Sequence, residues 1–149
     1  MSSKKIVFAT NFTKNTEKAK KYIKMLTKNT KAKLLLLHVY EPQHQACYPY
    51  YPAHNFSMWL HRNMSKRPQK VMNKLESLEE KYNSAGVECE KHLVMGHNPS
   101  KTILNFANKE DADMVIVGDD HKSWWEKTLF GSVIDSVTRR AECPVFVVK

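Results

Sequence analysis

Two short apolar runs do most to limit what this chain can fold into. They are Leu34-Leu35-Leu36-Leu37-His38-Val39-Tyr40 and Met114-Val115-Ile116-Val117-Gly118. A strand with one wet face alternates apolar and polar residues, whereas a strand covered on both faces reads as one apolar block. Both runs are too short to span a bilayer. Each is expected to be an inner strand of a parallel sheet with helices packed on either side.

The segments around them fit that expectation. Lys5–Thr10 is a third buried strand by composition. Val87-Glu88-Cys89-Glu90-Lys91-His92-Leu93-Val94 alternates and suits a strand near the sheet edge. Pro144–Val148 makes the last strand. Between these lie helical patterns. Ala19, Tyr22, Ile23 and Leu26 share one face, with Thr13 as cap and Glu17 near the positive end of the dipole. Phe56 begins a second pattern in which Trp59, Leu60 and Met64 share a face, and Pro68 is expected to kink or divide that helix. Val71, Leu75, Leu78 and Tyr82 continue it, and Gly86 suits the position after the helix end. Asn98-Pro99 starts a helix with Ile103, Leu104 and Ala107 inward. Gly131-Ser132 opens the last, with Ile134, Val137 and Ala141 inward. Residues 43–55 have no period and read as a loop. Strict alternation of strand and helix gives a doubly wound α/β domain of about five parallel strands, with right-handed crossovers. No linker or repeat divides the 149 residues, so one domain, 1–149, is expected.

Composition narrows the partners. Lysine and arginine number 24 against 15 acids, a net charge of +9, which favours an anionic ligand or surface. The lysines cluster early, at Lys14, Lys18, Lys20, Lys21, Lys24, Lys28, Lys31 and Lys33. With no Arg-Gly repeat and no aromatic RNA-binding signature, they read as a solvated helix face, and nucleic acid is not the expected partner. No membrane segment is seen. The cysteines Cys47, Cys89 and Cys143 are widely spaced without a CxxC, as for reduced thiols in a cytoplasmic protein. No signal peptide is expected, because no apolar stretch of the needed length follows Met1. His44, Cys47, His54 and His61 match no familiar zinc spacing, so no metal site is assigned. His38, on a buried strand, reads as a core histidine. No Ser/His/Asp or Cys/His order suggests a nucleophile.

In doubly wound sheets, ligands bind beyond the strand carboxyl ends, where strand order reverses. Three turns should meet there: Ala9-Thr10-Asn11, Val94-Met95-Gly96-His97, and the stretch from Gly118 onward. Gly131-Ser132-Val133 adds backbone N–H groups, a hydroxyl and the positive end of a helix, which suit an anion. His97 borders this pocket as a further contact candidate.

Here the sequence resembles the universal stress protein family over nearly its whole length. The likeness runs through Phe8-Ala9-Thr10-Asn11-Phe12-Thr13, Leu36-Leu37-His38-Val39, Met95-Gly96, Asp111–Gly118 and Cys143–Val148. The ATP-binding branch of that family carries G-x2-G-x9-G-[ST]. This chain has Gly118, then His121 after two residues, then Gly131-Ser132 after nine. The resemblance implies a sheet of order 3-2-1-4-5 and an adenine nucleotide, ATP. Asp119-Asp120 could hold Mg²⁺ beside its phosphates, but reads first as a solvated acidic turn. The resemblance implies backbone contacts from Val39 to adenine, with Ala9, Thr10 and Asn11 bordering base and ribose. Met95 and Gly96 would wall the pocket, and Gly118, His121, Gly131, Ser132 and Val133 would surround ribose and phosphates. It further implies a homodimer through Val145, Phe146, Val147 and Val148, acting by binding, with at most slow ATP hydrolysis.

Two positions depart from the family pattern. His121 replaces a glycine, and its imidazole either crowds the phosphates or pairs with them when protonated. Asn11 replaces an acid and keeps hydrogen-bonding capacity without the charge. A family branch that does not bind ATP carries polar and aromatic residues in this loop, as Trp124-Trp125-Glu126-Lys127 does here. The alternative expectation is therefore a dimeric interaction protein without nucleotide.

Overall fold

The computed structural model describes residues 4–12, 14–41, 66–118 and 133–149. In chain order the elements are β1 (Lys5–Ala9), α1 (Lys14–Thr30), β2 (Lys33–Tyr40), α2 (Lys66–Ser84), β3 (Cys89–Met95), α3 (Pro99–Lys109), β4 (Met114–Gly118), α4 (Val133–Arg140) and β5 (Val145–Val148). The five strands form one parallel sheet ordered β3-β2-β1-β4-β5. This is the doubly wound arrangement that the apolar runs required.

The period of two along each strand divides the core. Ile6, Phe8, Leu34, Leu36, Cys89 and Ile116 face Ala19 and Ile23 of α1 and Leu75, Leu78 and Tyr82 of α2. Val7, Leu35, Leu37, Val39, Val115 and Val117 face Ile103 and Ala107 of α3 and Val133 and Val137 of α4. Both faces of β1, β2 and β4 are thus covered, which is why their sequences do not alternate. Full burial of one such side chain contributes about 1.5–3 kcal/mol, so the inner strands anchor the domain.

Local chemistry sets the helix ends. Asn98 caps α3: its Oδ1 accepts from the Lys101 N–H at 3.1 Å, and Pro99 follows where a missing N–H leaves no intrahelical bond unmade. Gly86 takes φ +80° just beyond α2, a conformation open to glycine without a Cβ penalty.

Pro68 stands in the first turn of α2, where proline is tolerated, and the stretch from Phe56 that it was expected to kink or divide lies outside the described residues. Two expectations are corrected. Tyr22 is 37% exposed and leans on Phe146 of β5 at 5.5 Å between ring centres, at the margin of the core. Ala141 lies just past α4, which ends at Arg140, and is half-buried. The loop 43–55, Phe56, Trp59, Leu60, Met64 and the Thr13 cap lie outside the described residues.

The sheet edges differ in character. β3 carries Glu90, Lys91 and His92, and the ion pairs Lys33–Glu90 at 2.5 Å and Lys91–Glu79 at 2.8 Å tie it down. Charge on an edge strand discourages pairing with foreign strands. β5 is the opposite edge and is wholly apolar, with Val145, Phe146 and Val147 half-buried.

Candidate functional site

The strand order reverses between β1 and β4, so their carboxyl ends bound the crevice. The last pair across that boundary is Ala9 with Val117. Thr10 and Gly118 are the next residues out. β2 pairs with β1 only as far as Ala9 with Leu37, and then continues through His38, Val39 and Tyr40.

That overrun aims the backbone. Along a strand, the N–H and C=O of alternate residues point to opposite neighbours. The Lys33 N–H donates to Lys4 O at 2.8 Å and Leu37 O accepts from the Thr10 N–H at 2.9 Å, so odd residues of β2 face β1. The Leu34 N–H donates to Glu88 O at 2.8 Å and Tyr40 O accepts from the Gly96 N–H at 3.1 Å, so even residues face β3. The peptide groups of Val39 therefore point past the end of β1, toward the crevice, while its buried side chain stays in the core.

The turn after β1 is fastened at several atoms. Thr10 is buried, and besides the bond to Leu37 its carbonyl accepts from Nδ1 of His38 at 2.8 Å. Its Oγ1 accepts from the Phe12 N–H at 3.1 Å. Phe12 takes φ +62°, the left-handed region that a bulky residue seldom enters. Its ring lies 4.8 Å from the His38 ring, and Lys74 of α2 places Nζ 5.5 Å from its centre. Burial holds the His38 imidazole below its ordinary pKa; the bond to Thr10 opposes that shift and the nearby Lys74 charge adds to it.

The site residues named from the sequence thus divide into three groups. Ala9, Thr10, Asn11, Val39 and Gly118 lie at the strand ends beside the reversal. Val133, at the start of α4, is buried in the same cluster as Ala9, Val39 and Val117. Met95 ends β3, opposite Tyr40, and Gly96 follows it, two strands away from β1. Gly96 is also demanded by its own neighbourhood, because a Cβ there would strike the Thr102 side chain of α3. His121, Gly131 and Ser132 lie outside the described residues, as do Asp119-Asp120 and Trp124-Trp125. So do the histidines and cysteine of the 44–61 segment. Among the described residues, no group of three or more His, Cys, Asp or Glu side chains could hold a metal ion. None of the described helices is long and apolar enough to cross a membrane.

Sequence reasoning missed the Phe12–Lys74 contact and the role of His38 in it. Lys74 lies on the solvent side of the α2 pattern, and no period connects it with residues 10–12.

Comparison with known proteins agrees with this architecture. The family model described as "Universal stress protein family" matches residues 2–149. Universal stress protein MJ0577 of Methanocaldococcus jannaschii is 25% identical over 154 aligned positions, covering 98% of this chain and 94% of that protein. Universal stress protein MJ0531 of the same organism is 33% identical over 86 residues, 58% of this chain and 48% of its own length. The chain thus matches about half of that longer relative. Among solved structures, hypothetical protein MJ0577 superposes with a TM-score of 0.73 at 27% identity, over 100% of this chain and 97% of that one. The Archaeoglobus fulgidus universal stress protein, solved in complex with dAMP, shares the fold with a TM-score of 0.70 at 20% identity over 100% of both chains. A universal stress protein in complex with cAMP does so with a TM-score of 0.65 at 21% identity, over 99% and 98%.

Proposed function

The chain belongs to the universal stress protein family, and from that premise we propose that it binds an adenine nucleotide, ATP, at the carboxyl ends of β1, β2 and β4. The observation that carries the reading is the overrun of β2. It directs the Val39 peptide groups into the crevice, where a base edge can be read by one donor and one acceptor. Ala9, Thr10 and Asn11 border base and ribose, and Met95-Gly96 closes the far side. Gly118, His121, Gly131, Ser132 and Val133 take the ribose and phosphates, since a phosphate approaching the main chain at a helix start favours residues without Cβ. Two proteins of the same fold are named as complexes with dAMP and cAMP, which supports an adenine ligand. Mg²⁺ enters only as a companion of the phosphates.

The reading is one of binding, not turnover. No nucleophile and general base pair stands at the described strand ends, so any ATP hydrolysis is expected far below the roughly 10 s⁻¹ typical of enzymes. Turnover near that value, abolished by Ser132→Ala, contradicts this. The protein acts as a cytoplasmic homodimer through β5, because an apolar edge strand is normally covered; a monomer mass by light scattering at micromolar concentration contradicts that part.

A specific feature favours a second reading. Asn11 supplies no charge at the β1 turn and His121 interrupts the glycine pattern, as suits a dimeric interaction protein without nucleotide. Mass spectrometry of the small molecules released on denaturing freshly purified protein separates the two. An adenine nucleotide at near one per chain supports the first, and its absence together with no ATP binding by the emptied protein supports the second.

A further inference from the structure

We propose that His38 is the positioning residue of the candidate nucleotide site: its imidazole sets the Thr10–Phe12 turn that presents Asn11 to the crevice. The inference rests on the binding reading for its ligand, and on the turn alone for its geometry.

A carbonyl oxygen can only accept, so the 2.8 Å contact between His38 Nδ1 and Thr10 O places the ring proton on Nδ1. The donor comes from β2 and the acceptor lies just past the end of β1, where ladder pairing between them has stopped. His38 therefore continues the join between the two strands with a side chain, one step beyond the Thr10–Leu37 bond. The ring has a second use. It packs against Phe12 with the planes tilted 33°, and Lys74 lies toward the Phe12 ring from α2. Phe12 sits at φ +62°, so without such packing and the bond from its N–H to Thr10 Oγ1 it would relax to a commoner conformation. Asn11 is held between these two fixed residues. A ligand that meets Asn11, or the backbone of residues 9–11, meets a geometry that His38 maintains from behind. His38 itself is buried and is not required to touch the ligand.

Three variants separate donation from packing. His38→Asn keeps an N–H donor close to the place of Nδ1; His38→Gln carries its amide one bond too far; His38→Leu keeps bulk and loses the donor. Two readouts are used, ATP titration by calorimetry and amide hydrogen exchange of Thr10 and Phe12 by NMR. Leu and Gln should weaken ATP binding about tenfold and Asn by less than about threefold, from loss of one buried bond and its stranded carbonyl. Exchange at Phe12 should quicken in Leu and Gln and stay near wild type in Asn. Equal weakening by all three, or wild-type affinity and exchange in Leu and Gln, overturns the proposal. Should Leu fail to fold, Gln against Asn decides. If wild type itself binds no ATP, the binding reading fails, and Phe12 exchange alone then sustains or overturns the positioning role.

Discussion

A Cβ on Gly96 would collide with the Thr102 side chain, so the turn after β3 and the first turn of α3 are fitted around a hydrogen at that point. The constraint comes from the fold and acts whether or not a ligand is bound. Gly96→Ala should therefore cost about 1–3 kcal/mol of stability, the usual range for overpacking. Thr102→Ala in the same chain should recover most of it. Urea unfolding of the two single variants and the double variant measures the coupling; strictly additive losses would show that the two residues do not meet.

Asn98 predicts a smaller and more local effect. Its Oδ1 accepts from the Lys101 N–H and from Ser100 Oγ, at 3.1 and 2.8 Å. Asn98→Ala should destabilise the domain by about 1 kcal/mol, and Asn98→Asp by much less, since an N-cap needs a side-chain acceptor. Denaturant midpoints at constant slope check this.

Stability should fall on mild acidification. Burial lowers the pKa of His38, and also that of His92, where Glu90 and Glu110 pull the other way. The unfolded chain then binds protons first as pH drops through the ordinary histidine value of 6.5, while the folded chain resists until its depressed values. The loss thus begins near 6.5 and levels off below the folded values. The Glu90 carboxylate, held below its usual 4.5 by Lys33, keeps its contribution above 4.5 and loses it only as pH falls through its lowered value. Chemical denaturation at pH 8, 6.5 and 5.5 should show decreasing midpoints, with a weaker trend in His38→Asn. A flat profile would mean that both imidazoles titrate alike in the folded and unfolded states.

Of the described thiols, Cys89 should be inert in the native protein and Cys143 weakly reactive. Burial raises Cys89 to about 12 and pushes Cys143 upward as well. Thiolate is the reactive form, so maleimide at pH 7.5 should leave Cys89 unlabelled until urea unfolds the chain. Peptide mass spectrometry reads each cysteine separately. Rapid native labelling of Cys89 would contradict its buried placement.

The fold was legible because the strongest signals in the sequence are signals of burial. Leu34–Val39 and Val115–Val117 could be apolar on both sides only inside a sheet covered on both faces, and they occupy its inner strands. The alternation in 87–94 placed β3 at an edge for the same reason. Tyr22 misled because helical spacing marks a face without marking where the neighbouring layer ends. At the site, the position of Ala9 to Asn11 and of Gly118 at the carboxyl ends of β1 and β4 was legible from the strand pattern, while the residues from 119 to 132 lie outside the described ones. The fastening of the β1 turn was not legible: the His38–Thr10 bond and the approach of Lys74 to Phe12 link residues far apart in sequence through atoms that leave no period. The steric demand at Gly96, where an added Cβ would meet the Thr102 side chain, was likewise not legible, since it joins a turn to a helix side chain.

Nucleotide binding is tested by ATP titration in a calorimeter, on wild type and on Gly131→Leu and His121→Gly. Saturable heat is expected from wild type, and strongly reduced binding from Gly131→Leu, whose side chain would fill the proposed phosphate position. Absence of heat from both wild type and His121→Gly would contradict nucleotide binding and leave the interaction-protein reading in its place.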